Sequence, residues 1–277
     1  MAWPTRVLMV DPQYFDVEYA INPHMLDENG ELNKVDKDLA KKQWTELKNT
    51  FEKLKLNVEV LPGQESLPDM VFCANQTFPF MKEDKLHMVL SQMNSDKRQP
   101  EVQYFKSWAE KNDVTTHELG DSQLEGMGDV LWNYETEEVY AGYGFRTSPE
   151  VYTKLEKLID KKIITFELKD DRFYHLDTCL SILSGDTAAY VREAFTEEGY
   201  LTLKKHFTNL IQIPLKEATE QLACNMCSPN GDDVIIQEGA NMTNEALEAF
   251  GFNVIELDTR EFIKSGGSVF CMKMLLP

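Results

Sequence analysis

The stretch TNEALEAFG, FNVIELD, TREFIKSGGSVFCMKML, residues 243–275, holds in one line the pattern that organises the whole chain. Ala246, Leu247 and Phe250 keep helical spacing, and Gly251 follows as a C-terminal stop. FNVIELD then reads as a short strand. A polar gap leads to a glycine pair and a second apolar run that contains Cys271. Four earlier stretches repeat this unit. They are WTELKNTFEKLKL with NVEVLP and GQESLPDMVFCAN, and VQYFKSWAEKN with VTTHEL and GDSQLEGMGDVLW. PEVYTKLEKLID with KIITFEL and KDDRFYHLDTCLSIL is the third, and YLTLKKHF with LIQIPL and KEATEQLACNMCSPNGDDVIIQ the fourth. Successive copies lie about 45 to 55 residues apart, within the range of repeated supersecondary units. No copy has enough apolar residues for a core of its own, so five must share one. Strands inward and helices outward give an α/β fold, a five-bladed pseudo-symmetric α/β propeller. No Pro/Gly/Ser-rich linker interrupts it, so residues 1–277 read as a single domain.

Composition narrows the function. The chain has 28 Lys and Arg against 47 Asp and Glu, a net charge of −19. Such a field repels nucleic-acid phosphates and anionic lipid surfaces and attracts small cations. No apolar stretch reaches the eighteen or so residues of a membrane span. The opening MAWPTRVLMVDPQYF carries only the short apolar run Val7–Val10, which reads as a first strand and not as a signal-peptide core. Five cysteines do not form a paired disulfide framework, which leads to an expectation of a reducing cytoplasm. Cys224-x-x-Cys227 lacks a second ligand pair for a metal and reads as two structural thiols.

Chemistry-bearing residues recur at corresponding places in the copies. The first holds Asp69 and Asn75, the second Glu125 and Asp129, the third His175 and Asp177, and the fifth Gly266, Gly267 and Cys271. Around an axis these places converge at one end, which brings carboxylates, an imidazole and a thiol to one pocket. Taken singly, each has an ordinary reading. Cys271 is a core thiol in an apolar run, His175 a core histidine beside Phe173, Tyr174 and Leu176, and Glu125-Gly-Met-Gly-Asp129 a solvated turn. Asp177 falls on the same strand face as His175, where it can orient or charge-stabilise the imidazole. Arg98 and Arg146 stand out from the acidic background, each with an ion-pair role as the plain alternative.

The strings PDMVFCAN (68–75), LEGMGDVL (124–131), GYGFRTS (142–148), FYHLDTCLS (173–181) and SGGSVFCM (265–272), with YFDVEYAINPHM (14–25), resemble the guanidine-modifying amidinotransferase, or pentein, superfamily. Among its branches they are similar to dimethylarginine dimethylaminohydrolase, arginine deiminase and arginine dihydrolase. The resemblance runs in order over nearly the whole chain and implies the five-bladed α/β propeller read from the repeats. It also implies a hydrolase of guanidine C–N bonds, with Cys271 as nucleophile, His175 as general acid/base and Glu125 as the carboxylate supporting it. Asp69 and Asp177 would grip the guanidinium, Arg98 and Arg146 the substrate carboxylate, with Asn22 and Asp129 as further pocket residues. Asn75 stands where deiminase and dimethylaminohydrolase patterns carry an acid, which turns the expectation towards an arginine dihydrolase giving ornithine and ammonia. No metal or organic cofactor is required, the partner is a small cationic guanidino compound, and assembly into a homo-oligomer is compatible. The competing classes are a citrulline-forming hydrolase, an amidinotransferase, a non-catalytic propeller that binds a cation, and a CxxC-dependent metal or redox protein. The polar segment Leu26–Val35 is the candidate lid.

Overall fold

Asp36 starts the first long helix: its side chain accepts the Leu39 backbone N–H at 3.0 Å. The cap makes Lys37–Lys53 helical well ahead of Trp44, where the repeat reading begins. A computed structural model describes residues 3–277. Among the described residues four more helices of nine or ten residues follow, Val102–Lys111, Glu150–Ile159, Glu197–His206 and Asn241–Ala249. Thr196 caps the fourth by accepting the Gly199 N–H at 3.1 Å, and Gly251, at φ 91°, ends the last. After each helix comes a strand: Asn57–Leu61, Thr115–His117, Ile163–Glu167, Asn209–Gln212 and Asn253–Leu257. These ten elements are the helix and first strand of the five copies.

Each sheet also has a strand outside the helix–strand pairs of the copies, and of these the sequence reading expected only the first, at Val7–Val10. Arg6–Val10, Lys85–Leu90, Val139–Tyr143, Thr187–Tyr190 and Asp233–Gln237 lie in the middle of small sheets. In every sheet this strand pairs in parallel with the strand that follows the helix. In four sheets it pairs antiparallel with a strand on its other side: Met274–Leu276, Thr77–Lys82, Val130–Trp132 or Leu180–Ile182. In the remaining sheet a single bridge between Cys227 and Ile235 takes that place. The second apolar run of the fourth copy therefore contains a middle strand, Asp233–Gln237.

Burial explains the order of strands. Middle strands such as Thr187–Tyr190 are buried along their length, whereas Asn57–Leu61 and Asn253–Leu257 at the sheet edges are largely exposed or half-buried. A strand covered on both faces reads as a continuous apolar run without alternation, which hides it between polar gaps. The fold is thus a mixed α/β assembly of small sheets. Two large apolar clusters fill it, one built around Phe51, Phe78, Phe105 and Phe262, the other around Tyr140, Phe166, Phe173 and Phe195. Phe270, one residue before Cys271, packs against both. Among the described residues no helix is long and apolar enough to cross a membrane.

Candidate active site

Asn75, Glu125, His175, Asn225 and Cys271 recur at intervals of about fifty residues. Each lies just before the first strand, or the single bridge, of its sheet. Contacts join these segments in sequence. The Ala74 N–H donates to the Cys271 carbonyl at 3.2 Å, and the Met127 N–H to the Ala74 carbonyl at 2.7 Å. His175 Nε2 and Glu125 Oε2 are 2.6 Å apart. Asn225 Nδ2 donates to the Asp177 carbonyl at 3.1 Å and to Cys271 Sγ at 3.2 Å.

Asn225 is the residue that the sequence reading missed. Its Oδ1 accepts the backbone N–H groups of Ser268 at 3.0 Å and Cys271 at 3.2 Å, so one buried amide holds the cysteine turn and touches the sulfur. The available signal was the repeat itself: the fourth copy supplied no site residue, and Asn225 occupies the corresponding place inside Cys224-x-x-Cys227. Those two cysteines are buried, and burial raises both thiols above their usual value. All five cysteines are free, and among the described residues no group of three or more His, Cys, Asp or Glu could hold a metal ion.

Cys271 Sγ lies 3.2 Å from Asp177 Oδ2. Burial raises the thiol well above its usual value, and the neighbouring Asp177 carboxylate adds to the rise. Burial likewise pushes the Asp177 carboxyl up to about 7, despite the hydrogen bond to Cys271 and the charge of Lys273. Two adjacent groups that resist ionisation form a site that gains from a cation. Glu125 behaves in the opposite way. Burial disfavours its charge, but the His175 hydrogen bond and the charges of His175, Arg146 and Arg98 prevail, bringing its carboxyl to about 2.

Six of the ten expected residues line one cavity: Asn22, Asp69, Asn75, Arg98, Arg146 and Cys271. Ile21, Met25, Phe72, Tyr174, Ser265 and Gly267 complete its wall. The side chains fill it almost completely. Its cover includes Ile21, Asn22 and Met25, just ahead of the candidate lid Leu26–Val35, within which Leu26 and Leu32 form a bridge. Arg146 ties the cover down by donating from Nη2 to the Ile21 carbonyl at 2.7 Å and from Nη1 to Glu125 Oε2 at 3.3 Å. The Asn22 amide donates to the Ser265 carbonyl at 3.0 Å.

Buried polar atoms at this centre without a hydrogen-bond partner include Asp69 Oδ2, Asp177 Oδ1 and Asn75 Nδ2, and the Tyr19 hydroxyl faces Asp69. The other Asp69 oxygen accepts the Ser265 hydroxyl at 2.9 Å. Asn75 Oδ1 accepts from Arg98 Nη1 at 2.9 Å, which fixes the amide with its Nδ2 beside Gly128 and the His175 ring. A Cβ on Gly128 would stand 2.2 Å from that Nδ2 and 3.3 Å from His175 Cγ, so the close approach requires glycine. Arg98 is heavily engaged. It pairs with Glu101 at 3.0 Å and donates to the carbonyls of Asp69 and Phe72, each at 3.1 Å. Asp129 is also engaged at both oxygens, accepting the Leu176 N–H at 3.0 Å and the Thr147 hydroxyl at 2.7 Å. It buttresses the His175 turn from outside the cavity lining.

Thiol, imidazole and carboxylates gathered from successive small sheets define a class of α/β proteins whose reactive site is assembled from pseudo-repeated units. The chain belongs to the eukaryotic N,N dimethylarginine dimethylhydrolase family, whose profile matches residues 11–276. It is 35% identical over 277 residues to the bifunctional arginine dihydrolase/ornithine cyclodeaminase ArgZ of Synechocystis sp., covering 99% of this chain and 38% of that protein. The chain thus spans little more than a third of this relative. It is 33% identical to the N(G),N(G)-dimethylarginine dimethylaminohydrolase of Mycobacterium tuberculosis, covering 96% of this chain and 84% of the relative. The substrate-bound N-terminal domain of cyanobacterial ArgZ, described as an arginine dihydrolase, superposes with a TM-score of 0.90 at 33% identity and 97% coverage of both chains. A second structure of that domain is described as covalently bonded to a reaction intermediate, with a TM-score of 0.90, 33% identity and coverage of 98% of this chain and 99% of that one.

Proposed function

We propose that this protein is a guanidine hydrolase that converts arginine to ornithine, ammonia and carbon dioxide through covalent adducts on Cys271. The observation that carries the reading is the pair of unpartnered carboxylate oxygens, Asp69 Oδ2 and Asp177 Oδ1, buried in the cluster around the Cys271 thiol. Planar N–H donors of a guanidinium would satisfy both, and its charge would favour the thiolate that burial opposes. The thiolate attacks the central carbon, ammonia leaves with a proton supplied through His175, and a thiouronium adduct is left. Water activated by His175 then releases a ureido compound. Glu125 keeps His175 oriented and charge-compensated.

A guanidinium has only donors to offer, whereas a ureido group carries a carbonyl acceptor. Asn75 Nδ2, a donor without a partner, suits that carbonyl and would retain the ureido product for a second attack. The second round consumes another water and yields ornithine, carbon dioxide and a second ammonia. An ArgZ-domain variant forms a covalent reaction intermediate, which supports a covalent scheme. Arg146 takes the substrate carboxylate when the cover moves, and Arg98, already bound to Glu101, holds Asn75 and the Asp69 segment in place.

The same reading arranges the five sheets as blades of one propeller in a single domain. Its support is the chain of contacts from the Cys271 segment through Asn75, Glu125, His175 and Asn225 back to Cys271. Five free thiols suit a reducing compartment such as the cytoplasm. Dimethylarginine is the second substrate to consider, because of the family match and the mycobacterial relative. Incubation with arginine and with dimethylarginine, followed by mass spectrometry, separates the outcomes. Ornithine with ammonia from arginine supports the proposal, and citrulline with dimethylamine supports the second reading. Failure to turn over either substrate, with no adduct on Cys271 in a His175→Ala variant, would defeat both. Under the dihydrolase reading Asn75→Asp stops the reaction nearer citrulline.

A further inference from the structure

We propose that Tyr174 is a positioning residue that joins the two ends of the substrate site, seating Arg146 on its ring and the Cys271 turn on its hydroxyl. The inference rests on the reading of Arg146 as the carboxylate-binding group and extends it to the aromatic wall of the cavity. Tyr174 follows the short helical turn Asp171–Phe173 and keeps a helical backbone, whereas His175 is extended. This change of direction sets the two rings 4.8 Å apart between centroids, tilted by 56°. The Tyr174 side chain is buried in the cavity wall. The Arg146 guanidinium carbon lies 4.8 Å from the centroid of its ring, within reach of a cation–π contact. The Tyr174 hydroxyl donates to the Gly266 carbonyl at 2.6 Å.

Each contact bears on a different part of the chemistry. Arg146 touches the Ile21 carbonyl, Glu125 Oε2 and the Tyr174 ring. The Ile21 carbonyl belongs to the cover and leaves when the cover moves, so the ring and Glu125 hold the guanidinium while a substrate carboxylate arrives. Glu125 Oε2 is drawn more closely to His175, at 2.6 Å against 3.3 Å to Arg146, which makes the ring the steadier seat. At the other end, Gly266 has a φ of 86°, and a Cβ there would stand 2.8 Å from the Tyr174 hydroxyl oxygen. Only glycine lets the turn bring its backbone up to that hydroxyl. The flanking residues reach the reacting groups. The Ser265 hydroxyl donates to Asp69 Oδ1 at 2.9 Å, and a Cβ on Gly267 would stand 3.1 Å from Cys271 Cβ. Loss of the Tyr174 hydroxyl therefore removes the donor to a buried carbonyl in the segment that orients Asp69 and backs Cys271.

Tyr174→Phe keeps the ring and removes the hydroxyl, whereas Tyr174→Leu removes both. Binding of arginine and of its decarboxylated amine is read by titration calorimetry in the full chain carrying Cys271→Ser, so that no turnover intervenes. The leucine change is expected to weaken arginine about tenfold and the decarboxylated amine less than about twofold, because only arginine brings a carboxylate to Arg146. The phenylalanine change leaves both within about twofold. With Cys271 present, Tyr174→Phe is expected to lower kcat for arginine about tenfold, at a KM within about twofold of the wild type. A merely structural tyrosine would weaken both ligands alike, and that result overturns the proposal, as does a phenylalanine variant with wild-type kcat. Where the leucine variant does not fold, the kcat of the phenylalanine variant decides alone. The activity is judged separately. A wild type that turns over neither arginine nor dimethylarginine sinks the hydrolase reading, while unequal weakening of the two ligands keeps the role of Tyr174. An active wild type without that inequality does the reverse, and absence of arginine binding overturns both.

Discussion

Asn225 invites a perturbation that separates the two ends of one amide. Its Oδ1 accepts two backbone N–H groups, those of Ser268 and Cys271, and its Nδ2 donates to the Asp177 carbonyl and the Cys271 sulfur. Asn225→Ala leaves three backbone groups unpaired in a region that is 1% exposed. A buried unmet group costs about 1–3 kcal/mol, and entry of water into the vacated space softens the sum to about 3 kcal/mol. That is a large share of an ordinary domain's stability. Asn225→Asp keeps the acceptors but removes the donor, and it sets a second acidic group beside the sulfur. It is expected to recover more than half of the lost stability at pH 5. Alkylation of Cys271 at pH 8 should be at least about tenfold slower than in the wild type, because a neighbouring acid disfavours the thiolate. Urea unfolding and timed iodoacetamide labelling measure the two effects. An alanine variant destabilised by less than about 1 kcal/mol, or an aspartate variant labelled at the wild-type rate, would refute the division of labour.

Glu125→Gln should lower turnover about a hundredfold or more through loss of support for His175. Its carboxyl sits at about 2 in the fold against an ordinary 4.5, so it contributes stability above pH 4.5 that is lost as pH falls towards 2. The glutamine variant should therefore show a flatter urea midpoint across that window. Asp177 has the opposite sign. Its carboxyl is raised from 3.8 to about 7, so its contribution is full below pH 3.8 and disappears as pH rises through 7. Asp177→Asn should be less active yet more resistant to urea than the wild type at pH 8, and a variant that weakens in parallel with the wild type from pH 4 to 8 would contradict this. Gly128→Ala drives a methyl into Asn75 Nδ2 and the His175 ring, and turnover should fall about a hundredfold as both groups shift. A kinetic assay with arginine that finds wild-type rates would show that the close approach is dispensable.

The repeat in the sequence made five helices and the strands that follow them legible, because amphipathic spacing and edge strands leave periodic marks. The middle strands were harder to separate, since burial on both faces removes alternation. At the site, Cys271, His175, Glu125 and Asp69 could be placed by corresponding position in the copies, and resemblance to a known family supplied their expected roles. Asn225 stayed hidden because a pair of flanking cysteines invited a different question. The charge environment was also out of reach: sequence position does not reveal that Glu101 occupies Arg98, or that Thr147 and Leu176 occupy Asp129. Those facts belong to pairings between distant segments, and a one-dimensional pattern carries no record of which polar groups have already been satisfied.

The separation of those segments along the chain bears on how the molecule acquires and loses its chemistry. Ser265 meets Asp69 across 196 residues, and Asn22 meets Ser265 across 243. Contacts among such widely separated groups are of the kind that close slowly in folding chains. The strand that follows the thiol, Met274–Leu276, pairs with Arg6–Val10, more than 260 residues away in sequence. The centre is therefore a product of long-range pairing, and Cys271 owes its surroundings to segments that sequence places far from it.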